Sequence, residues 1–146
     1  MDRCLRKKYR VDGEPIELAR PRYGKNRVWY AQKNLKLNYG LDITNQHADE
    51  RLFLGPLQIE IAFYFPFPKN MSQRKKDEMR YNFRPLKPDL DNLIKWVLDV
   101  CNGILYEDDA LITSISAYKM YDDVARTEFV IHELYKHFSL DFHTVA

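Results

Sequence analysis

The clearest alternation of apolar and polar residues lies in the stretch LQIEIAFYF, residues 57–65. Every second residue from Leu57 to Phe65 is large and apolar, and Gln58 and Glu60 lie between them. A period of two is typical of a half-buried β-strand, because successive side chains of a strand point to opposite faces. The pattern therefore predicts a strand over 57–65.

A second pattern, with helical spacing, follows in the stretch DLDNLIKWVLDVCNG. Asp91, Lys95 and Asp99 fall at i, i+4 and i+8 and form one polar stripe. The Asn-Gly pair that follows predicts the end of the helix, since glycine readily adopts the left-handed conformation found there. The apolar positions form a broad face opposite the stripe: Leu93, Ile94, Trp96, Val97, Leu98 and Val100.

The remaining stretches predict shorter elements. Residues 111–121 and 126–134 have strand character, and the turn DDVA between them predicts a hairpin. Residues 66–86 are rich in proline and charge, which indicates a long loop with at most one or two polar helical turns around 72–80. Near the N-terminus, EPIELARPRY and GKNRVWYA predict a short strand broken by proline, a turn and a second strand. Residues 34–50 fit either a short helix or irregular chain.

This order of elements predicts one α+β domain, residues 1–146, with a mostly antiparallel mixed sheet and the helix packed against it. A chain of 146 residues can bury a single sizeable core. No apolar stretch approaches the roughly 18 residues of a membrane span, and the N-terminus lacks a signal-peptide core. We therefore expect a cytoplasmic protein without a membrane partner, and free thiols at Cys4 and Cys101.

The distribution of charge says more than its sum. The chain has 23 Lys and Arg against 21 Asp and Glu, a net charge of +2. Residues 2–27 hold nine basic residues against four acids, whereas acids concentrate between Asp89 and Asp123. A basic surface beside an acidic pocket suits a metal-using enzyme that acts on a polyanion, although each cluster also fits a solvated charged face.

Asp89 and Asp91 precede the helix closely. One carboxylate beside a helix start can cap free backbone N–H groups, but a second adds a repulsion of about 1 kcal/mol or more. A divalent cation between the two would remove that cost.

The stretch YEDDA brings two further carboxylates, Asp108 and Asp109. From Asp91 to the helix end is about 17 Å, and the six residues after Gly103 span about 20 Å if extended. If the chain turns back at Gly103, both carboxylates arrive beside Asp89 and Asp91. Oxygen ligands of this kind suit Mg²⁺ or Mn²⁺, whereas the histidines lack the spacing of a zinc site.

The stretch KPDLDNLIKWVLDVCNG, followed by YEDDALI and a strand that contains Lys119, resembles the signature of the RusA family of Holliday-junction resolvases. The upstream ARPRYGKNRVWY is similar to that family's basic N-terminal segment, and the resemblance runs from about residue 13 to 133. It implies a homodimeric endodeoxyribonuclease that cuts four-way DNA junctions with Mg²⁺. It also implies catalytic roles for Asp89, Asp91, Asp109 and Lys95. The spacing alone adds Asp108 as a candidate ligand, although neighbouring residues on a strand point to opposite faces.

Several alternatives stay open at this point. Lys95 could simply form an i,i+4 ion pair with Asp91, worth about 0.3–0.5 kcal/mol. Asp99, two turns further along, fits a solvated or salt-bridging residue. A nuclease for flaps or RNA would share the same catalytic residues, and a non-catalytic DNA-binding protein would explain the basic residues alone. The candidates for phosphate contacts are Arg20, Arg22, Lys25, Arg27, Lys87 and Lys119.

Overall fold

The computed structural model describes residues 4–20, 22–24, 27–29 and 32–134, and of residues 22, 23 and 27–29 it describes the backbone. The elements are, in chain order, β1 (Arg6–Asp12), β2 (Arg22–Gly24), β3 (Arg27–Trp29), α1 (Lys33–Gln46), β4 (Leu57–Phe65), α2 (Gln73–Met79), α3 (Leu90–Cys101), a 3₁₀ turn (Asp109–Leu111), β5 (Ile112–Tyr121) and β6 (Arg126–Glu133).

Four strands form one mixed sheet in the order β1, β6, β4, β5, and β2 pairs with β3 separately. β4 is antiparallel to β6 and parallel to β5, and β1 is antiparallel to β6. The α+β architecture expected from the sequence is confirmed, and the strand over 57–65 has the expected bounds.

The expected hairpin between β5 and β6 is wrong, because β4 lies between these two strands. β5 follows the helix α3 and joins β4 in parallel, as a strand does after a helical crossover. The turn at 122–125 then carries the chain across the end of β4, where the backbone N–H of Asp122 donates to the carbonyl of Phe65 at 3.0 Å. The four residues between β5 and β6 therefore cross the end of β4, and the two strands they join are not paired with each other.

The hydrophobic core lies between the sheet and the helices α1 and α3. The alternate apolar residues of β4, from Leu57 to Phe65, are buried there, and α3 contributes Leu93, Trp96, Val97 and Val100. This is the apolar face that the helical spacing predicts. Removing these large side chains from water supplies most of the favourable free energy of folding.

Two elements left open or missed by sequence reasoning complete this layer. In α1, Tyr39 and Ile43 are buried while Leu37 and Leu41 are exposed, so the apolar residues do not follow one helical face. In β1, only Tyr9 and Val11 point into the core, and the charged residues around them hide the alternation. None of the helices in the described part of the chain is long and apolar enough to cross a membrane.

Candidate active site

Asp89 and Asp91 lie at the first turn of α3. Asp89 occupies the N-cap position, but its side chain caps no backbone group. Instead, Lys87 Nζ donates to Asp89 Oδ1 at 2.6 Å, and this hydrogen bond holds the pKa of Asp89 below its usual value. Asp91 Oδ1 accepts from the backbone N–H of Asn92 at 2.9 Å. The capping expected of one aspartate therefore falls to Asp91, and Asp89 is left facing a lysine.

Two further lysines lie at this end of α3. Lys95 Nζ is 3.8 Å from Asp91 Oδ2, which is the i,i+4 ion pair that the spacing allows. Lys119 Nζ donates to the carbonyls of Leu86 and Pro88 at 2.7 and 2.9 Å, and its charge also lowers the pKa of Asp89. Three lysine ammonium groups thus lie near the two carboxylates at this end of the helix.

Asp108 and Asp109 lie at the opposite end of α3. The backbone N–H of Asp109 donates to Asn102 Oδ1 at 2.8 Å, directly after the last residue of the helix. After Gly103 the chain does not run back along α3, because the N–H groups of Ile104 and Leu105 both bond to the carbonyl of Cys101 at 3.0 Å.

The expected convergence of these carboxylates with Asp89 and Asp91 is therefore not formed within one chain. The twelve residues of α3 separate the two groups by about 17 Å along the helix axis. The expectation failed because it took residues 103–109 as extended, whereas a compact turn occupies the first of them.

Asp99 belongs to the group at the far end of α3. Burial raises the pKa of Asp109, and the neighbouring carboxylates of Asp108 and Asp99 raise it further. Asp99 itself is paired with Lys36 of α1, as expected of a salt-bridging residue. Within the described residues, no three acidic, histidine or cysteine side chains are arranged to hold a metal ion by themselves.

The structure describes the side chains of only some of the candidates for phosphate contacts. Arg20 is exposed, Arg22 and Arg27 lie on β2 and β3, and Lys25 lies outside the described residues. Lys119 is engaged with backbone carbonyls, so its main role in the fold is to fix the chain before Asp89.

A second basic stretch contains only one of the candidates for phosphate contacts, Lys87. Residues 69–87, here called the basic segment, contain seven Lys or Arg and only Asp77 and Glu78 as acids. It leads from β4 through α2 to the start of α3. The signal in the sequence is the charge of this long loop. The basic residues are Lys69, Arg74, Lys75, Lys76, Arg80, Arg84 and Lys87.

Exposed carboxylates flanked by lysines at one helix end, next to a basic segment, are typical of an enzyme that acts on a polyanion. The sequence matches the family Endodeoxyribonuclease RusA over residues 12–132. The chain belongs to this family of nucleases, and the resemblance stated from its motifs is confirmed. It is also 32% identical over 136 residues to a Bacillus subtilis (strain 168) protein named "Uncharacterized protein YqaN", an alignment that covers 87% of this chain and 96% of the relative.

Proposed function

We propose that this protein is a Mg²⁺-dependent endodeoxyribonuclease that resolves four-way DNA junctions in recombination and repair. It acts as a homodimer that hydrolyses two phosphodiester bonds in one junction. The observation that carries the proposal is the motif KPDLDNLIK within the family match, which has Asp89 and Asp91 exposed at the start of α3 with Lys95 beside them.

The residues at this helix end fit a magnesium ion. The side chains of Asp89 and Asp91 are 50% and 68% exposed, and they lie two residues apart. Mg²⁺ is usually bound by one or two carboxylates, keeps several waters and takes substrate phosphate as a further ligand, so a complete protein cage is not needed. When bound here, the ion would supply a nucleophilic water at neutral pH and offset charge on the phosphate; Mn²⁺ suits the same ligands.

The lysines supply charge that the reaction needs. Lys95 is 62% exposed, and its ion pair with Asp91 spans 3.8 Å, so it can turn toward a phosphate at a cost of only about 0.3–0.5 kcal/mol. There it stabilises the negative charge that develops on the phosphate or on the leaving oxygen. Lys87 lowers the pKa of Asp89, so this carboxylate stays ionised to a lower pH.

Asp109 is the third catalytic carboxylate in this proposal, as the family resemblance implies. In one chain it lies at the other end of α3, beside Asp99 and Asp108. Its substitution tests whether a carboxylate about 17 Å from Asp89 and Asp91 takes part in cleavage.

Binding comes from the basic residues outside this acidic helix. Arg20 and the basic segment offer phosphate contacts, which give affinity without sequence readout. A four-way junction has near two-fold symmetry and must be nicked twice, so a homodimer with two sites matches its geometry.

A substrate panel tests the proposed function. The purified protein is incubated with end-labelled four-way junction, flap, splayed fork, linear duplex and RNA, each with Mg²⁺ and with EDTA. We expect paired, symmetric nicks in the junction with Mg²⁺ and none with EDTA. Faster cleavage of flap or RNA would assign a different nuclease activity, and binding without cleavage under any metal would make the protein a non-catalytic DNA-binding one.

A further inference from the structure

Two aromatic side chains, Phe83 and Tyr118, stack on each other at the protein surface. Their ring centroids are 6.1 Å apart and their planes differ by 20°. The residues are 70% and 45% exposed. Large aromatic rings are usually buried, so an exposed pair of them is a candidate binding surface.

The backbone on both sides of Phe83 is fixed. The N–H of Tyr81 donates to the carbonyl of Tyr121 at 2.9 Å, and the N–H of Arg84 donates to the carbonyl of Lys119 at 2.8 Å. Phe83 thereby lies opposite β5 as an additional bridge along its free edge. Because this backbone is already ordered, little entropy is lost when the ring binds a partner.

The same lysine links the aromatic pair to the candidate active site. Lys119 accepts from Arg84 through its carbonyl, and its side chain bonds to the carbonyls of Leu86 and Pro88, next to Asp89. Tyr118 precedes Lys119 on β5 and points to the opposite face of the sheet. The pair therefore lies at the β5 edge of the sheet, on a framework that also positions Asp89.

The charge around the pair favours a nucleic acid over a protein as the partner. The pair adjoins the basic segment, which includes Phe83 and carries seven basic residues against two acids. Arg74, Arg80 and Lys87 are paired with carboxylates. Arg84, next to Phe83, instead donates to the backbone carbonyls of Leu86 and Lys87. Aromatic rings among cations are the arrangement that binds unpaired nucleic acid, where bases stack on the rings and the cations contact the phosphates.

We propose that Phe83 and Tyr118 form a stacking platform for a base exposed at the branch point of the DNA, and that this platform determines the preference for branched over linear DNA. The inference rests on the proposed function. In linear duplex each base is covered on both faces by its neighbours, whereas a branch point offers bases that are already unstacked or easily unstacked.

The test compares Phe83→Ala and Tyr118→Ala with a matched control, Leu86→Ala. Leu86 is 54% exposed, apolar and part of the same basic segment, but it is not aromatic. Binding to a four-way junction and to linear duplex of the same sequence is measured in EDTA over a range of salt concentrations. Thermal unfolding checks that each variant is folded, and Phe83→Tyr tests rescue by a second aromatic ring.

We expect Phe83→Ala to weaken junction binding by about tenfold or more and to change duplex binding little. The slope of log K against log salt should stay the same, since stacking releases no counterions. Phe83→Tyr should restore junction binding, and Leu86→Ala should bind as the wild type does.

Three results would overturn the platform: equal loss of duplex binding, equal loss in Leu86→Ala, or a shift from dimer to monomer in sedimentation of Phe83→Ala. The last would assign the pair to an interface between two copies. If the wild type cleaves junctions and Phe83→Ala still discriminates them from duplex as the wild type does, the platform is wrong but the proposed function stands. If the wild type binds no branched DNA better than duplex, the proposed function fails with it.

Discussion

Lys87 donates a hydrogen bond of 2.6 Å to the carboxylate of Asp89, the residue at the N-cap of α3. This contact replaces the helix cap that an aspartate at this position usually makes. It lowers the pKa of Asp89, while Asp91 accepts from a first-turn N–H. The start of α3 thus carries more charge than helix capping uses, because Asp89 bonds to a lysine and not to a backbone group.

Asp89→Asn and Asp91→Asn should each abolish junction cleavage while binding stays equal or becomes tighter. Each change removes one ligand for Mg²⁺ and one negative charge that repels phosphate. Cleavage is measured on a labelled junction with Mg²⁺, and binding is measured in EDTA. Wild-type turnover by either variant would remove that residue from the site.

Lys95→Ala should lower the single-turnover cleavage rate at saturating enzyme by about two or more orders of magnitude. Its ion pair with Asp91 is weak, so the stability of the fold should change little. Junction affinity and its salt dependence should also stay close to the wild type. A variant that binds poorly but cleaves normally once saturated would make Lys95 an anchoring residue.

Arg20→Ala should show the reverse pattern. The loss of one phosphate contact should weaken binding and reduce the slope of log K against log salt by about 0.9. High protein concentration should restore cleavage. If the slope does not change, Arg20 makes no phosphate contact in the complex.

Asp109→Asn should lose cleavage, yet the folded state should be as stable as the wild type or more stable at pH 7. The pKa of Asp109 is raised by burial and by the carboxylates of Asp108 and Asp99, so its ionised form disfavours folding above its ordinary pKa. Urea unfolding and the cleavage assay separate the two effects. Asp99→Asn, which removes a residue paired with Lys36, should retain most activity. Loss of cleavage in Asp99→Asn but not in Asp109→Asn would assign Asp99, and not Asp109, to the metal ligands.

Glu133→Gln should destabilise the fold at neutral pH, with a loss that shrinks in acid. The buried carboxylate accepts from Arg51 at 2.6 and 2.8 Å and from the N–H groups of Leu5 and Leu54, which holds its pKa at about 2, below the ordinary 4.5. A depressed pKa stabilises the fold above pH 4.5 and loses that contribution as the pH falls from about 4.5 to 2.

The expected loss on Glu133→Gln is about 3 kcal/mol at pH 7. Urea unfolding at pH 7 and pH 3 checks it, with the exposed Glu60→Gln on the neighbouring strand as the control. An equal loss at both values would mean that packing, and not ionisation, sets the contribution of Glu133.

Elements with a clean period were determined by the sequence alone. β4 and α3 follow from apolar spacing, because each buries one regular face in the core. The Asn-Gly end of α3 follows from the conformational freedom of Gly103, which has a φ of +78°. The family follows from KPDLDNLIK, since this motif is far more specific than two aspartates.

Strand order and the position of Asp109 were decided by the tertiary structure. The alternation of a strand predicts which of its side chains are buried, but not which strand pairs with it. The position of β4 between β5 and β6 therefore could not be predicted from the sequence. The sequence does not show that the chain forms a compact turn after Gly103 instead of an extended segment. Because of this turn, Asp109 lies beside Asn102 at the end of α3. Local periodicity records burial, whereas the meeting of distant residues depends on the path of the chain between them.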